Sequence, residues 1–188
     1  MSIKIFIAGD LHIPSRASML PPLFERILLQ DKWDYIVLTG DLTIPSVLKR
    51  FEKLVASPKK LIVARGNMDQ MTLPLKPTFT IDSLKLGAFH GTDISPRGDI
   101  SQLKKVAKEM GVRVLFTGHS HKSLFHSDKE HIILNPGTST GASGGTSWSV
   151  DTGLITMELH SEKQLIEIHL YKINQKGKLE IENKKINL

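Results

Sequence analysis

The sequence predicts an α/β protein with more strands than one twisted sheet usually holds, hence two packed mixed sheets with helices outside. Three observations predict it. Near-continuous apolar runs recur along the chain, as in residues 3–9 (IKIFIAG). In the first part these runs alternate with stretches of helical spacing, the order that builds a parallel sheet. Beyond about residue 113 short strand-like segments follow one another with turn residues between them.

Taken in order, residues 3–9 read as a strand buried on both faces. Leu20, Leu23, Phe24, Ile27 and Leu28 then mark one helical face, entered through Pro21 and Pro22. YIVLTG is a second buried strand. Val47, Leu48, Phe51, Leu54 and Val55 repeat the helical spacing after Pro45, and KLIVARG is a third strand. TFTID and LKLGAFHG flank Ser83 closely enough for a hairpin, which sets antiparallel strands beside the parallel ones. A helix is expected over residues 99–110, with Gly111 as its stop. VRVLFTG is again a buried strand, and SLFHS, HIILNPG, LITMEL, QLIEIHLY and KLEIENKKI follow as further strands. In QLIEIHLY, Ile166, Ile168 and Leu170 form the apolar face, with Glu167 and His169 on the polar one. KLEIENKKI is expected at an edge of the second sheet, where its alternating charges discourage pairing with another chain. The small, polar stretch GTSTGASGGTSWS reads as a surface loop. With Trp148 near its end, it either borders a site or merely connects strands. No repeat or linker interrupts the chain, so residues 1–188 are expected to form a single domain.

Composition narrows the chemistry. No apolar run approaches the ~20 residues of a membrane-spanning helix, so no membrane insertion is expected. The start, MSIKIFIAGD, lacks the features of a signal peptide, and a cytoplasmic location is expected. There is no cysteine, which excludes disulfides, thiolate nucleophiles and cysteine-held metals. Any metal must be bound by nitrogen and oxygen. The net charge of +6 is spread among scattered lysines, and bulk basicity of this kind serves solubility. Lys104, Lys105 and Lys108 lie on the polar face of their helix. No aromatic–basic stacking platform is present, so a nucleic-acid partner is not expected.

The polar residues that stand out sit where buried strands end. IKIFIAG ends in Asp10-Leu11-His12, YIVLTG in Asp41, and LIVARG in Asn67-Met68-Asp69. LGAF ends in His90, and LFTG in His119-Ser120-His121. Ligands of open α/β sheets bind outside the carboxyl ends of strands. Any one of these residues has a plain explanation, as a cap, a turn former or a surface histidine. His126, His131, His160 and His169 are read that way. Seven candidates at five strand ends, with none in mid-strand, instead point to a metal site. Aspartate, asparagine and histidine suit manganese, iron or zinc. Seven ligands exceed one site but fit two ions that share a bridge, and the two oxygens of Asp41 could touch both. Gly9, Gly40, Gly66 and Gly118, each just before a ligand, are expected to let the backbone turn sharply.

These motifs resemble those of the calcineurin-like metallophosphoesterases. GDLH, the GD of Gly40-Asp41, GNMD, FHG, GHSH and NPGT come in that family's order and spacing over residues 3–159. The chain is most similar to the small single-domain branch, which includes bacterial and archaeal phosphodiesterases and the phosphoesterase-like subunit of the retromer coat. GDLHIPSRASMLPP and NPGTSTGA carry the likeness to that subunit. The resemblance implies a four-layer αββα sandwich. It implies that Asp10, His12, Asp41 and His121 hold one ion, and Asp41, Asn67, His90 and His119 the other. The retromer subunit has an altered ligand set, whereas every position here carries the standard ligand. One position departs: many family enzymes read G-N-H-[DE], with that histidine protonating the leaving group, and here it is Met68. Asp69 then keeps only a structural role beside the ligands.

The resemblance further implies two divalent cations, manganese first, with zinc, iron or nickel as alternatives. A hydroxide shared by the two ions would attack phosphorus in line, and Asn67, His90 and His119 would stabilise the developing charge. Without general-acid help, about 10²–10⁴-fold of rate is forgone on a poor leaving group. The expected function is therefore a phosphodiesterase acting on small diesters with good leaving groups. The alternative is a non-enzymatic, retromer-subunit-like interaction scaffold with a retained metal site. A homo-oligomer or protein partner is left open.

Overall fold

The computed structural model describes residues 2–144 and 150–188. In chain order the elements are β1 (Ile3–Ala8), α1 (Pro22–Gln30), β2 (Tyr35–Leu38), α2 (Pro45–Glu52) and β3 (Leu61–Val63). The hairpin β4 (Thr78–Ile81) and β5 (Leu84–Phe89) follows, then α3 (Ile100–Met110) and β6 (Val114–Thr117). Last come β7 (Ser123–Ser127), β8 (Ile132–Pro136), β9 (Thr152–His160), β10 (Leu165–Ile173) and β11 (Leu179–Asn187). They form a six-stranded sheet, β11-β10-β9-β1-β2-β3, and a five-stranded sheet, β4-β5-β6-β8-β7. Both are mixed: β1-β2-β3 and β5-β6-β8 run parallel, and the outer strands antiparallel.

The unbroken apolar runs are explained by burial on both faces. Ile5 and Ile7 of β1 point between the sheets, where they meet Leu86, Val114, Phe116 and Leu134. Phe6 and Ala8 point outward onto Phe24 and Leu28 of α1 and Phe51 of α2. On the far side, Leu103, Ala107 and Met110 of α3 cover Leu115 and Ile133. The result is four layers: helices, sheet, sheet, helix. Phe6 is fully buried, and its truncation to alanine is expected to cost about 3–5 kcal/mol.

The helix boundaries follow local chemistry. Pro22 and Pro45 open α1 and α2, where a missing N–H costs nothing. Asp99 caps α3 by accepting the Gln102 N–H at 2.8 Å. Gly111 ends it in the left-handed region at φ +63°.

Three expectations need correction. The helix after Pro45 stops at Glu52, although Leu54 and Val55 beyond it still pack on the outer core. The last strand does take an edge, but of the sheet that contains β1, because β9 returns antiparallel beside β1 and the β9-β10-β11 meander continues outward. The stretch after Pro136 is not a surface loop at its start: Thr138, Ser139 and Ala142 are buried. Their burial is possible because hydroxyls replace water for the backbone. Thr138 Oγ1 donates to the Asp10 carbonyl at 2.9 Å, and Ser139 Oγ accepts the Gly9 N–H at 3.1 Å. Trp148 lies outside the described residues.

Candidate metal centre

The loops after β1, β2, β3, β5 and β6 meet on one rim, where both sheets present the carboxyl ends of their parallel strands. Backbone bonds tie these loops together. The Asp10 N–H donates to the Gly40 carbonyl at 3.1 Å, the His12 N–H to Asp41 at 2.8 Å, and the Gly118 N–H to His90 at 3.0 Å. Across the sheets, the His119 N–H donates to Asp10 Oδ2 at 2.9 Å.

The backbone at the site is unusual. Asp10, His12, Asp41, His119 and His121 all have φ between +48° and +66°. Non-glycine residues avoid this left-handed region, and each such residue costs of order 1–3 kcal/mol. The surrounding hydrogen bonds hold the strain, and its effect is to turn the side chains back over the strand ends. The preceding glycines act differently from expectation. Only Gly40 has a positive φ, at +110°. Gly66 is needed for close approach, since a Cβ there would lie 2.1 Å from Asp41 Oδ1.

The side chains converge as a compact set of oxygen and nitrogen donors. Asp41 Oδ2 lies 3.5 Å from His12 Nε2 and 3.5 Å from His90 Nε2. His121 Nε2 is 3.1 Å from His12 Nε2 and 3.3 Å from Asp10 Oδ1. His90 Nε2 also stands 3.3 Å from Asn67 Oδ1, and the His119 ring lies edge-on to that of His90 at 5.1 Å between centroids. Ligand atoms of Asp10, His12 and His121 fall within 4.8 Å of one another, as do those of Asp10, Asp41 and His90. Asp10 thus belongs to both groups, and His119 and Asn67 flank the second.

The donor set fits a metal. His90 Nδ1 is 2.8 Å from the Thr39 carbonyl and His121 Nδ1 is 2.8 Å from the Ala142 carbonyl. A carbonyl only accepts, so both rings carry their proton on Nδ1 and turn Nε2 inward, the arrangement of metal-binding histidines. Asp41 is aimed in the same way: the Met68 N–H donates to its Oδ1 at 2.8 Å, leaving Oδ2 to the imidazoles. Asp69 clamps the two loops behind. Its Oδ2 accepts the N–H groups of Gly66 at 2.7 Å and Asp41 at 3.1 Å, and its Oδ1 that of Thr43 at 2.8 Å.

Charge is balanced within the cluster. Burial pushes the Asp41 carboxyl up, but His90 and the Met68 N–H outweigh it and hold it at about 2. Burial likewise pushes His90 down, yet the carboxylates of Asp41 and Asp10 raise it to about 9. His119 is pushed down to about 4 by burial and by the charges of His90 and Arg97. His12 is lowered, chiefly by burial.

A cavity of about 90 Å³ opens over the cluster. Asn67, Met68 and His119 line it, together with two residues not singled out in the sequence, Arg16 and Arg97. No local motif marks either arginine; only the fold brings them there. A larger cavity of about 290 Å³ lies between β7 and the β9–β11 meander. Its carboxylates are engaged, Asp151 with Lys172 and Glu182 with Lys184, both at 2.6 Å, and Glu180 by accepting from Asn174 Nδ2 at 2.7 Å, and it holds no group of ligating side chains among the described residues.

Comparison with known proteins agrees with this geometry. The model of the calcineurin-like phosphoesterase superfamily domain matches residues 3–158. A probable metallophosphoesterase of Methanocaldococcus jannaschii is 35% identical over 140 residues, which cover 74% of this chain and 69% of that protein. The structure of vacuolar protein sorting 29 from Cryptosporidium parvum superposes with a TM-score of 0.91 at 23% identity, covering 100% of this chain and 99% of the other. Its counterpart from Chaetomium thermophilum, solved with a cyclic peptide, gives a TM-score of 0.78 at 25% identity, covering 99% and 96%. On the family match over residues 3–158 and the 35% identity to the Methanocaldococcus relative, the chain belongs to the calcineurin-like phosphoesterase superfamily.

Proposed function

We propose that this chain is a phosphodiesterase that works with two divalent cations, manganese first among them. The observation that carries it is the position of Asp41 Oδ2, 3.5 Å from an imidazole of each half of the cluster. Asp10, His12, Asp41 and His121 would hold one ion, and Asp41, Asn67, His90 and His119 the other. When bound, such a pair activates water near neutral pH and neutralises the phosphate. Residues 1–188 act as one domain, since β10 and β11, beyond the matched residues 3–158, extend the same sheet.

The chain's own groups do the rest. Asn67 and His119 line the cavity where charge grows on the phosphate oxygens, and His90 Nε2 stands 3.3 Å from Asn67 Oδ1, close enough for both to serve one ion. Met68 also lines the cavity but has no proton to give. The leaving group must therefore depart with its own charge, which favours diesters with acidic leaving groups. Manganese-loaded protein should hydrolyse bis(p-nitrophenyl) phosphate at least ~100-fold faster than glycerol phosphate; equal rates would contradict the proposal.

The rival function is a protein-interaction scaffold, which the peptide complex of the Chaetomium relative brings to mind. The buried, clustered donors of Asp10, His12, Asp41, His90 and His121 favour the enzyme, because a docking surface has no need of five candidate ligand residues, His119 among them, held in left-handed backbone.

A further inference from the structure

Beyond the metal centre, the rim continues into a second cavity of about 230 Å³, lined by Arg97, Gly98, Ser120, Lys122, Ser123 and Leu124. Among the described residues, Arg97 alone lines both cavities. The lining of this second cavity contains no carboxylate, unlike the larger one between β7 and the meander. Its hydroxyls are engaged: Ser123 Oγ donates to the Pro136 carbonyl at 3.1 Å, and Ser120 Oγ accepts from Asn135 Nδ2 at 3.0 Å. Recognition there falls first to Arg97, with the positive charge of Lys122, which also acts on Asp151, beside it. Arg97 has no ion-pair partner among the described residues, and it acts on His119 through space.

The turn that carries Arg97 is built to hold position. The Asp99 N–H donates to the Pro96 carbonyl at 3.1 Å, and Gln102 Nε2 to the Ser95 carbonyl at 2.6 Å. The same turn is tied to the site by the Ile94 N–H, which donates to Gly91, next to His90, at 3.1 Å. Gly98 follows with φ +79°, and a Cβ there would lie 3.5 Å from Ser120 Cβ, so the turn sits against the loop between His119 and His121. A rigid backbone presenting a planar fork suits an anion with several oxygens.

We propose that Arg97 and Lys122 form a subsite for a second phosphate, so that the preferred substrate is a phosphodiester carrying a further phosphate group close to the scissile one. Arg97 is the specificity residue: lining both cavities, it takes oxygens from the second phosphate while facing the first. Lys122, which lines the second cavity alone, adds a point charge there, and Leu124 gives one apolar wall for the linker between the phosphates. The inference rests on the phosphodiesterase function for its substrate, but the subsite itself is a binding property.

The test is calorimetric titration of the manganese-loaded full chain with thymidine 5′-monophosphate and thymidine 3′,5′-bisphosphate, the nucleoside serving as a spacer. The bisphosphate is expected to bind at least ~10-fold more tightly, and Arg97→Gln to bring that ratio below ~2. Lys122→Gln should lower it in part. Binding is read without turnover, so loss of the phosphodiesterase function would leave this result standing, and the reverse also holds. The same ratio is then read as kcat/KM on the p-nitrophenyl ester of thymidine 5′-monophosphate with and without a 3′-phosphate, the gain appearing in KM. Equal binding of the two nucleotides, or a ratio that survives Arg97→Gln, overturns the subsite. Equally tight binding of a 3′-O-carboxymethyl analogue overturns its assignment to phosphate.

Discussion

The N–H of Asp41 donates to Asp69 Oδ2 at 3.1 Å, so the residue whose carboxylate lies against both His12 and His90 is anchored by a carboxylate from the next loop. Asp69 also accepts from Gly66 and Thr43. Its removal strands three N–H groups at a buried position. Asp69→Ala should therefore cost about 3–5 kcal/mol and lower Tm by roughly 10 °C. Asp69→Asn, which keeps an acceptor oxygen, should cost less. Thermal melts of the two variants with metal removed check the ranking.

Met68 lines the cavity and is half-exposed, so a substitution there changes chemistry more than stability. Met68→His should raise kcat/KM for an alkyl phosphodiester by ~10-fold or more, with a smaller gain on an aryl diester, because only the poor leaving group needs a proton. Parallel assays on the two diesters read the selectivity.

Gly66→Ala places a methyl group 2.1 Å from Asp41 Oδ1 and 2.3 Å from the Asp41 backbone nitrogen. The carboxylate must move off both histidines, and manganese affinity should fall at least ~10-fold, the scale of a disturbed supporting shell. Calorimetric titration with manganese measures it directly, with an unchanged far-ultraviolet circular dichroism spectrum as the control for folding.

The Asp41–His90 pair gives the metal-free protein a pH signature. His90 is raised from 6.5 to about 9, so its contribution is full below pH 6.5 and is lost as pH rises through 9. Asp41 is lowered from 3.8 to about 2, so its contribution is full above pH 3.8 and is lost as pH falls through 2. Chelator-treated protein should thus lose several degrees of Tm between pH 6.5 and 9, and Asp41→Asn should flatten that slope. Metal uptake below pH 9 should expel the His90 proton, which calorimetry in buffers of different ionisation enthalpy detects.

Much of the site was legible in the sequence because strands buried on both faces leave little room for polar residues. Asp10, Asp41, His90 and His119 stand out for that reason, each at the end of an apolar run. Other features depend on contacts far apart in the chain. The burial of Thr138 relies on a carbonyl 128 residues away, so small polar residues alone read as a loop. The left-handed backbone of the candidate ligands leaves no mark, since it is imposed by hydrogen bonds from distant loops and not by any local signal in aspartate or histidine. Arg16 and Arg97 sit in ordinary loop sequence, and only the meeting of the two sheets brings them to one mouth. The edge taken by β11 was misplaced for a similar reason, because charge alternation signals an edge without saying which sheet it closes.

The most direct measurement is hydrolysis of bis(p-nitrophenyl) phosphate by metal-stripped protein titrated with manganese, beside Asp41→Asn. If Asp41 joins two ions, activity will rise saturably with about two manganese ions per chain, and Asp41→Asn will abolish it. Two bound ions without turnover, or turnover that survives Asp41→Asn, would contradict a two-metal phosphodiesterase.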